Sequence, residues 1–148
     1  MKPVLLILTF VSTTAFCQSE ETAVKQTVNR VFDGMKISDT AVIRSAFSVG
    51  PILQTIVRNK EGKTIVLTEP LDSFLVSVAR PHADVYDERI TFDVIKIDRE
   101  LAIVWAPYKF YLGTKFSHCG ADSFQLVKIN GEWEIQYLVD TRRKQGCD

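Results

Sequence analysis

Only two histidines and three cysteines occur in the 148 residues. That leaves little material for a multi-ligand metal site, and neither H-E-x-x-H nor C-x-x-C gathers what there is. G-x-S-x-G, a P-loop and G-x-G-x-x-G are missing too. Their absence excludes metalloprotease, thiol-redox, serine-hydrolase and nucleotide-binding chemistry, and no cofactor is expected. An excess of one charge is also lacking. With 18 Lys+Arg against 18 Asp+Glu, the chain has no electrostatic footprint for nucleic acid or an acidic membrane surface. No apolar run reaches the roughly 20 residues of a transmembrane helix, so no stable membrane insertion is expected. What is present, 46% hydrophobic and 24% charged residues, suits one globular domain with a substantial core.

The first 17 residues read as a secretory signal peptide. Lys2 supplies the positive charge, Val4 to Val11 the short apolar stretch, and Ala15 and Cys17 the small residues before a cut after Cys17. Lipidation of Cys17 is the rival reading, and bulky Phe16 fits it poorly. The expected protein is exported, periplasmic or extracellular, with one domain over residues 18–148. Only Cys119 and Cys147 then remain, and in an oxidising compartment two cysteines suggest a disulfide. The alternative is one buried thiol and one loose thiol in the tail.

Ser19 is placed to cap a helix that runs to Ile37, with Glu20 and Glu21 in its first turn and Val24, Val28, Val31, Phe32 and Met35 on its apolar face. Ser38 or Asp39 starts a short second helix with Val42, Ile43 and Phe47 inward, closed by Gly50-Pro51. Ile52 to Arg58 and Lys63 to Leu67 flank the turn Asn59-Lys60-Glu61-Gly62 and read as a hairpin. Thr68 is expected to cap a third helix, with Pro70 in its first turn and Leu71, Phe74, Leu75 and Val78 buried, ending at Arg80-Pro81. Four strands follow as a meander: Asp84 to Ile97, Leu101 to Leu112, Phe116 to Ile129 and Glu132 to Asp140. The last pair is joined by Asn130-Gly131, a strong hairpin signal because both positions accept positive φ. The fold class is α+β: three N-terminal helices with a β-hairpin, packed on a strongly curved antiparallel sheet.

Three stretches carry a family resemblance. They are Val31-Phe32-Asp33-Gly34-Met35 with Ser38-Asp39-Thr40, Phe74-Leu75 in the third helix, and the hairpin from Ser123 to Ile135 with Trp133 after its turn. Together they resemble the nuclear transport factor 2-like superfamily, the cystatin-like α+β cone, and within it a group of exported bacterial lumazine-binding-like proteins. The resemblance spans nearly all of residues 20–141. It implies a cone with a pocket at its open end, a homodimer through the sheet, and, in the superfamily's enzymes, an Asp or His acting with a tyrosine. Its motifs are structural and specify no reaction.

If Ile129 faces Glu132 across the Asn130-Gly131 turn, then Phe124 lies opposite Tyr137, Leu126 opposite Ile135 and Lys128 opposite Trp133. Phe124, Leu126, Trp133, Ile135, Tyr137 and Val139 then share one apolar face, and so do Asp122 and His118. A carboxyl on such a face has its pKa raised by desolvation, as an acid or base near neutrality requires. Tyr108, Tyr111 and Tyr137 are candidate donors, Trp105 a pocket floor, and Asp93 a second carboxylate. Pro107 suggests a bulge that re-aims Tyr108. The ordinary alternatives are that Asp122 accepts from Arg142 or a helix terminus and that His118 lies in solvent at the rim. Asp93 then stands on a solvated strand, Arg142-Arg143-Lys144 is a solvated tail instead of an anion site, and the aromatic series Trp105, Tyr108, Phe110, Tyr111 and Phe116 forms core or a dimer face. In this register Cys119 opposes Arg142, so a tail that folds back brings Cys147 within reach of it.

Three functions stay open. The first is an exported binding domain for a small molecule, with Trp105, Tyr111, Phe124 and Tyr137 as ligand contacts. The second is an isomerase- or dehydratase-type enzyme using Asp122, His118 and Tyr108. The third is a homodimeric interaction domain without a small ligand.

Overall fold

A computed structural model describes residues 19–147. The expected signal peptide and its cleavage point lie outside the described residues. Helix α1 (Glu20–Ile37) starts where expected: Ser19 is extended, and its hydroxyl accepts the Thr22 amide. Asp39 likewise caps α2 (Thr40–Arg44), accepting the Ala41 and Val42 amides. Gly34 is needed between them, because a Cβ there would stand 2.6 Å from Ile43 Cγ1 and 2.9 Å from the Asp39 carbonyl.

Beyond α2 the chain departs from expectation. Gly50-Pro51 does not close a helix; β1 (Phe47–Arg58) runs straight through it and turns at Asn59–Gly62 into β2 (Thr64–Glu69). Gly50 takes φ 68°, and the ladder to β7 is irregular between Phe47 and Ile52, so the glycine absorbs the kink that proline imposes. Thr68 caps nothing. It belongs to β2 and accepts from Gln54, while Pro70 precedes α3 (Leu71–Ala79) without a side-chain cap. The expected strand from Asp84 to Ile97 is two: β3 (Tyr86–Ile90) and β4 (Val94–Asp98), both paired with β5 (Leu101–Leu112). The break falls opposite Pro107, whose carbonyl accepts the Thr91 amide but which has no N–H to return.

Strands β6 (Lys115–Ile129) and β7 (Glu132–Thr141) complete one seven-stranded sheet, ordered β2-β1-β7-β6-β5-β3, with β4 also on β5. The N-terminal hairpin is therefore part of the main sheet, and β1 joins β7 in parallel. The β6–β7 register starts as expected, Ile129 to Glu132 and Leu126 to Ile135, and then slips by one. Phe124 lies opposite Leu138, not Tyr137, and Asp122 opposite Asp140. A single bulge thus reverses the facing of β7 beyond Ile135.

Helix α1 lays Val24, Val28, Val31, Phe32 and Met35 against the inner face of the sheet, where Val104, Phe124, Leu126, Trp133 and Ile135 are buried. Phe32 meets Phe124 edge to face, with ring centroids 6.2 Å apart. At the closed end Trp133 Nε1 donates to Glu20 at 2.8 Å and the Thr27 hydroxyl donates to the Trp133 carbonyl at 3.1 Å. The other end of the sheet is left open beneath α1 and α3. Among the described residues no helix is long and apolar enough to cross a membrane.

Candidate functional site

The open end holds a cavity of about 300 Å³. Its apolar wall comes from the helices, through Phe32 and Met35 of α1 and Phe74 and Val78 of α3. The sheet supplies the opposite wall. There Tyr86, Phe110 and Leu138 stand beside a polar group comprising Glu88, Tyr108, His118, Asp122, Asp140 and Arg142. Inward-facing residues of four strands thus converge on one space.

Asp122 is 3% exposed. Its carboxyl lies within hydrogen-bonding reach of Glu88, and its Oδ2 has no donor at all. Burial first, and then the neighbouring Glu88 and Asp140 carboxyls, hold Asp122 well above the usual carboxylate range. Glu88, half-buried on β3, is pushed up to about 7 by burial and by Asp140. Two adjacent buried carboxyls thus both resist ionisation.

Asp140 is held differently. Arg142 Nε donates to its Oδ2 at 2.8 Å, and the Tyr108 hydroxyl donates to the Thr141 carbonyl at 2.9 Å and to Asp140 at 3.3 Å. Burial and the surrounding carboxylates push the Tyr108 hydroxyl far up, so it acts as a neutral donor. Gly120 lies directly opposite Tyr108, and a Cβ there would fall 1.7 Å from the Thr141 carbonyl oxygen and 2.6 Å from the tyrosine ring. His118 packs on Phe110 with centroids 4.9 Å apart, and its Nδ1 meets the Ser117 hydroxyl at 3.1 Å. Burial, then Arg142, lowers its pKa, so near neutral pH the ring is uncharged.

Asp122, His118 and Tyr108 are therefore brought together at one cavity, while the four expected ligand contacts are not. Trp105 is 45% exposed on the outer face. Tyr111 is outside as well, with the Arg89 guanidinium 4.2 Å from its ring. Phe124 is fully buried in the core behind the cavity. Tyr137, turned outward by the β7 slip, donates to Gln54 Oε1 at 2.7 Å. Asp93 is exposed between β3 and β4 and does not reach the cavity. Pro107 pairs regularly with Ala121, so no bulge re-aims Tyr108; the β5–β6 irregularity lies beyond it, between Phe110 and Tyr111. Asp122 takes no ion pair; Arg142 serves Asp140 instead.

Residues 19–137 match the family model described as "Putative lumazine-binding". The protein belongs to this family. No curated protein matches it in sequence. Among solved structures, an NTF2-like protein of unknown function from Shewanella baltica OS155 superposes with a TM-score of 0.68 at 18% identity, covering 90% of this chain and all of that one. A protein of unknown function with a cystatin-like fold from Nostoc punctiforme PCC 73102 gives 0.66 at 11% identity, covering 85% and 92%. A function-unknown protein from Mycobacterium tuberculosis gives 0.68 at 14%, covering 87% and 75%. At such identities the likeness establishes the nuclear transport factor 2-like, cystatin-like fold and nothing about chemistry.

In this family member three carboxyls of the lining, Glu69, Glu88 and Asp140, escaped sequence reasoning. Glu88 had a signal: Tyr86 and Ile90 flank it at the strand period of two, which puts it on an apolar face. Asp140 had none, because only the β7 slip turns it inward. The chain also brings Cys119 and Cys147 together, their Cα atoms 5.8 Å apart and their sulfurs bonded. Cys119 pairs with Arg143, one residue on from the expected partner, as the same slip requires.

Proposed function

We propose that the protein binds a small, partly aromatic molecule in the open end of its cone. The observation that carries this reading is the cavity itself. About 300 Å³ is the lower end of the range for small-molecule sites, and one apolar wall faces a few convergent polar groups, as such sites require. The family description points the same way. The ligand contacts in this reading are Phe32, Phe74, Tyr86 and Phe110, in place of the four residues expected from sequence.

A second reading is an isomerase- or dehydratase-type acid–base enzyme, favoured by the adjacent carboxyls of Asp122 and Glu88, both held above the usual carboxylate range, in a cavity that also holds His118. Against it, the Tyr108 hydroxyl is already committed to the Thr141 carbonyl. Export before function is part of the proposal, supported by the leader-like first 17 residues and by a disulfide suited to an oxidising compartment. Pairing of two copies through the outer sheet face draws support from the exposed apolar residues Val94, Leu101, Ile103 and Trp105.

The test is native mass spectrometry of the purified protein beside Ser77→Trp. Ser77 lines the cavity from the exposed side of α3, so the larger side chain fills the mouth without entering the core. A bound small molecule in the native protein, lost in a variant with an unchanged melting temperature, is the expected result. A native protein that emerges empty, and whose Phe74 and Phe110 signals do not respond to an aromatic fragment library, overturns the reading.

A further inference from the structure

The charges around the cavity are unbalanced. Glu69, Glu88, Asp122 and Asp140 line it, against Arg142 alone. That arginine is already spent, its Nε on Asp140 and its Nη2 3.3 Å from the Thr55 hydroxyl. Helices α1 and α3 contribute no charged group to the lining, and the Tyr108 hydroxyl and His118 ring are both neutral near pH 7. Phe74, Tyr86 and Phe110 present aromatic surface to the same space.

A cavity of this kind repels anions. A cation gains there twice, from carboxylate oxygens in a water-poor space and from the faces of aromatic rings. Metal ions are the poorer fit, because among the described residues no group of three or more His, Cys, Asp and Glu side chains is arranged to hold one. The unpartnered Asp122 Oδ2 beside Glu88 marks the place in the wall where a hydrogen-bond donor is missing.

We propose that the cavity takes a compact organic cation, a protonated amine on an aromatic-sized apolar body, with its nitrogen on Glu88 and Asp122 and its body between those aromatic side chains and the helices. The proposal rests on the binding function above and specifies its ligand class. Between pH 5 and 7 Glu88 still carries its proton, and the positive charge of the amine takes that proton's place, so it leaves for solvent as the ligand enters. The bound state contains the intact ammonium, the Glu88 carboxylate and a still protonated Asp122, and one proton appears in the buffer.

Benzylamine, benzyl alcohol and benzoate share a ring and differ in head-group charge, which makes them suitable probes for titration calorimetry on the native protein. Benzylamine should bind at least about tenfold more tightly than the alcohol, with benzoate weakest. Its affinity should rise up to about tenfold per pH unit from pH 5 to 7, the limit for release of one proton. Its apparent enthalpy should also differ between phosphate and Tris buffers by the buffer's share of that proton. Glu88→Gln, nearly isosteric, should lose both the pH slope and most of the charge preference. Benzyl alcohol or benzoate binding as tightly as benzylamine, or benzylamine binding without proton release, overturns the cation proposal and leaves small-molecule binding standing. No binding by any of the three, with no response at Phe74 or Phe110, overturns both.

Discussion

Asp122 has another carboxyl for a neighbour where a buried acid ordinarily has a cation, and this one contact accounts for most of the site's chemistry. Glu88 and Asp122 both resist ionisation in so little water, so the protons they hold belong to the folded state. A neighbouring residue shows how tightly this region is built. Gly120 lets the Tyr108 ring and the Thr141 carbonyl close over it. Gly120→Ala places a methyl group where neither neighbour can yield without breaking the β6–β7 pairing or the tyrosine hydrogen bond. A loss of at least about 1–3 kcal/mol is expected, as for other overpacked sites, read by urea denaturation. An unchanged midpoint would mean that the strand end is far looser than its contacts indicate.

Strand β7 changes facing along its length. Up to Ile135 it follows the register set by Asn130-Gly131; after the slip, Leu138 and Asp140 point inward and Tyr137 outward. The hairpin turn was legible because its two residue types favour positive φ, and Asn130 and Gly131 adopt 52° and 91°. The slip was not. A bulge inserts one residue without a composition signal, and its position depends on how β1 docks alongside. Beyond the slip, Cys147 pins the tail to β6. The bond closes a chain segment with a sequence separation of 28, which in the chain-entropy account is worth about 3–4 kcal/mol. Cys147→Ser is expected to lower stability by that order under oxidising conditions. In excess reductant the two proteins should unfold at the same denaturant concentration; a persisting gap would refute the entropic account.

For the whole molecule, the site and the stability are linked through pH. Glu88 has a folded pKa of about 7 against 4.5 for the free group. Its contribution to stability is therefore complete below about pH 4.5 and is lost as the pH rises through 7, at no more than about 1.4 kcal/mol per pH unit. Other groups titrate as well. Burial lowers His118, so its contribution is complete above about 6.5 and is lost as the pH falls through the lowered value. Asp87, lowered by its hydrogen bonds to Lys36 and Arg89, adds stability that is lost at still lower pH. A difference measurement isolates the pair: the stability of the native protein relative to Glu88→Gln should fall between pH 5 and 7.5. A gap independent of pH would show that Glu88 does not keep its proton in this range.

By itself the sequence determined what is written locally. Capping residues, apolar periodicity and turn chemistry act over a few residues, so α1, α2 and the hairpin turns could be read from Ser19, Asp39 and Asn130-Gly131. Most strands were legible too, and alternation along β6 placed Asp122 and His118 on one face; Tyr108, one of three candidate donors, joins them because alternation along β5 is unbroken up to Phe110. Tertiary structure alone decided which other residues meet them. The break opposite Pro107, the parallel docking of β1 on β7 and the slip in β7 are long-range pairings, each settled by what lies across the sheet. The β7 slip turned Tyr137 outward and Asp140 inward, while plain alternation along β5 sets Trp105 on the face opposite Tyr108. The result is a cavity where four carboxyls face one arginine, because the side on which a strand residue stands is a property of the assembled sheet.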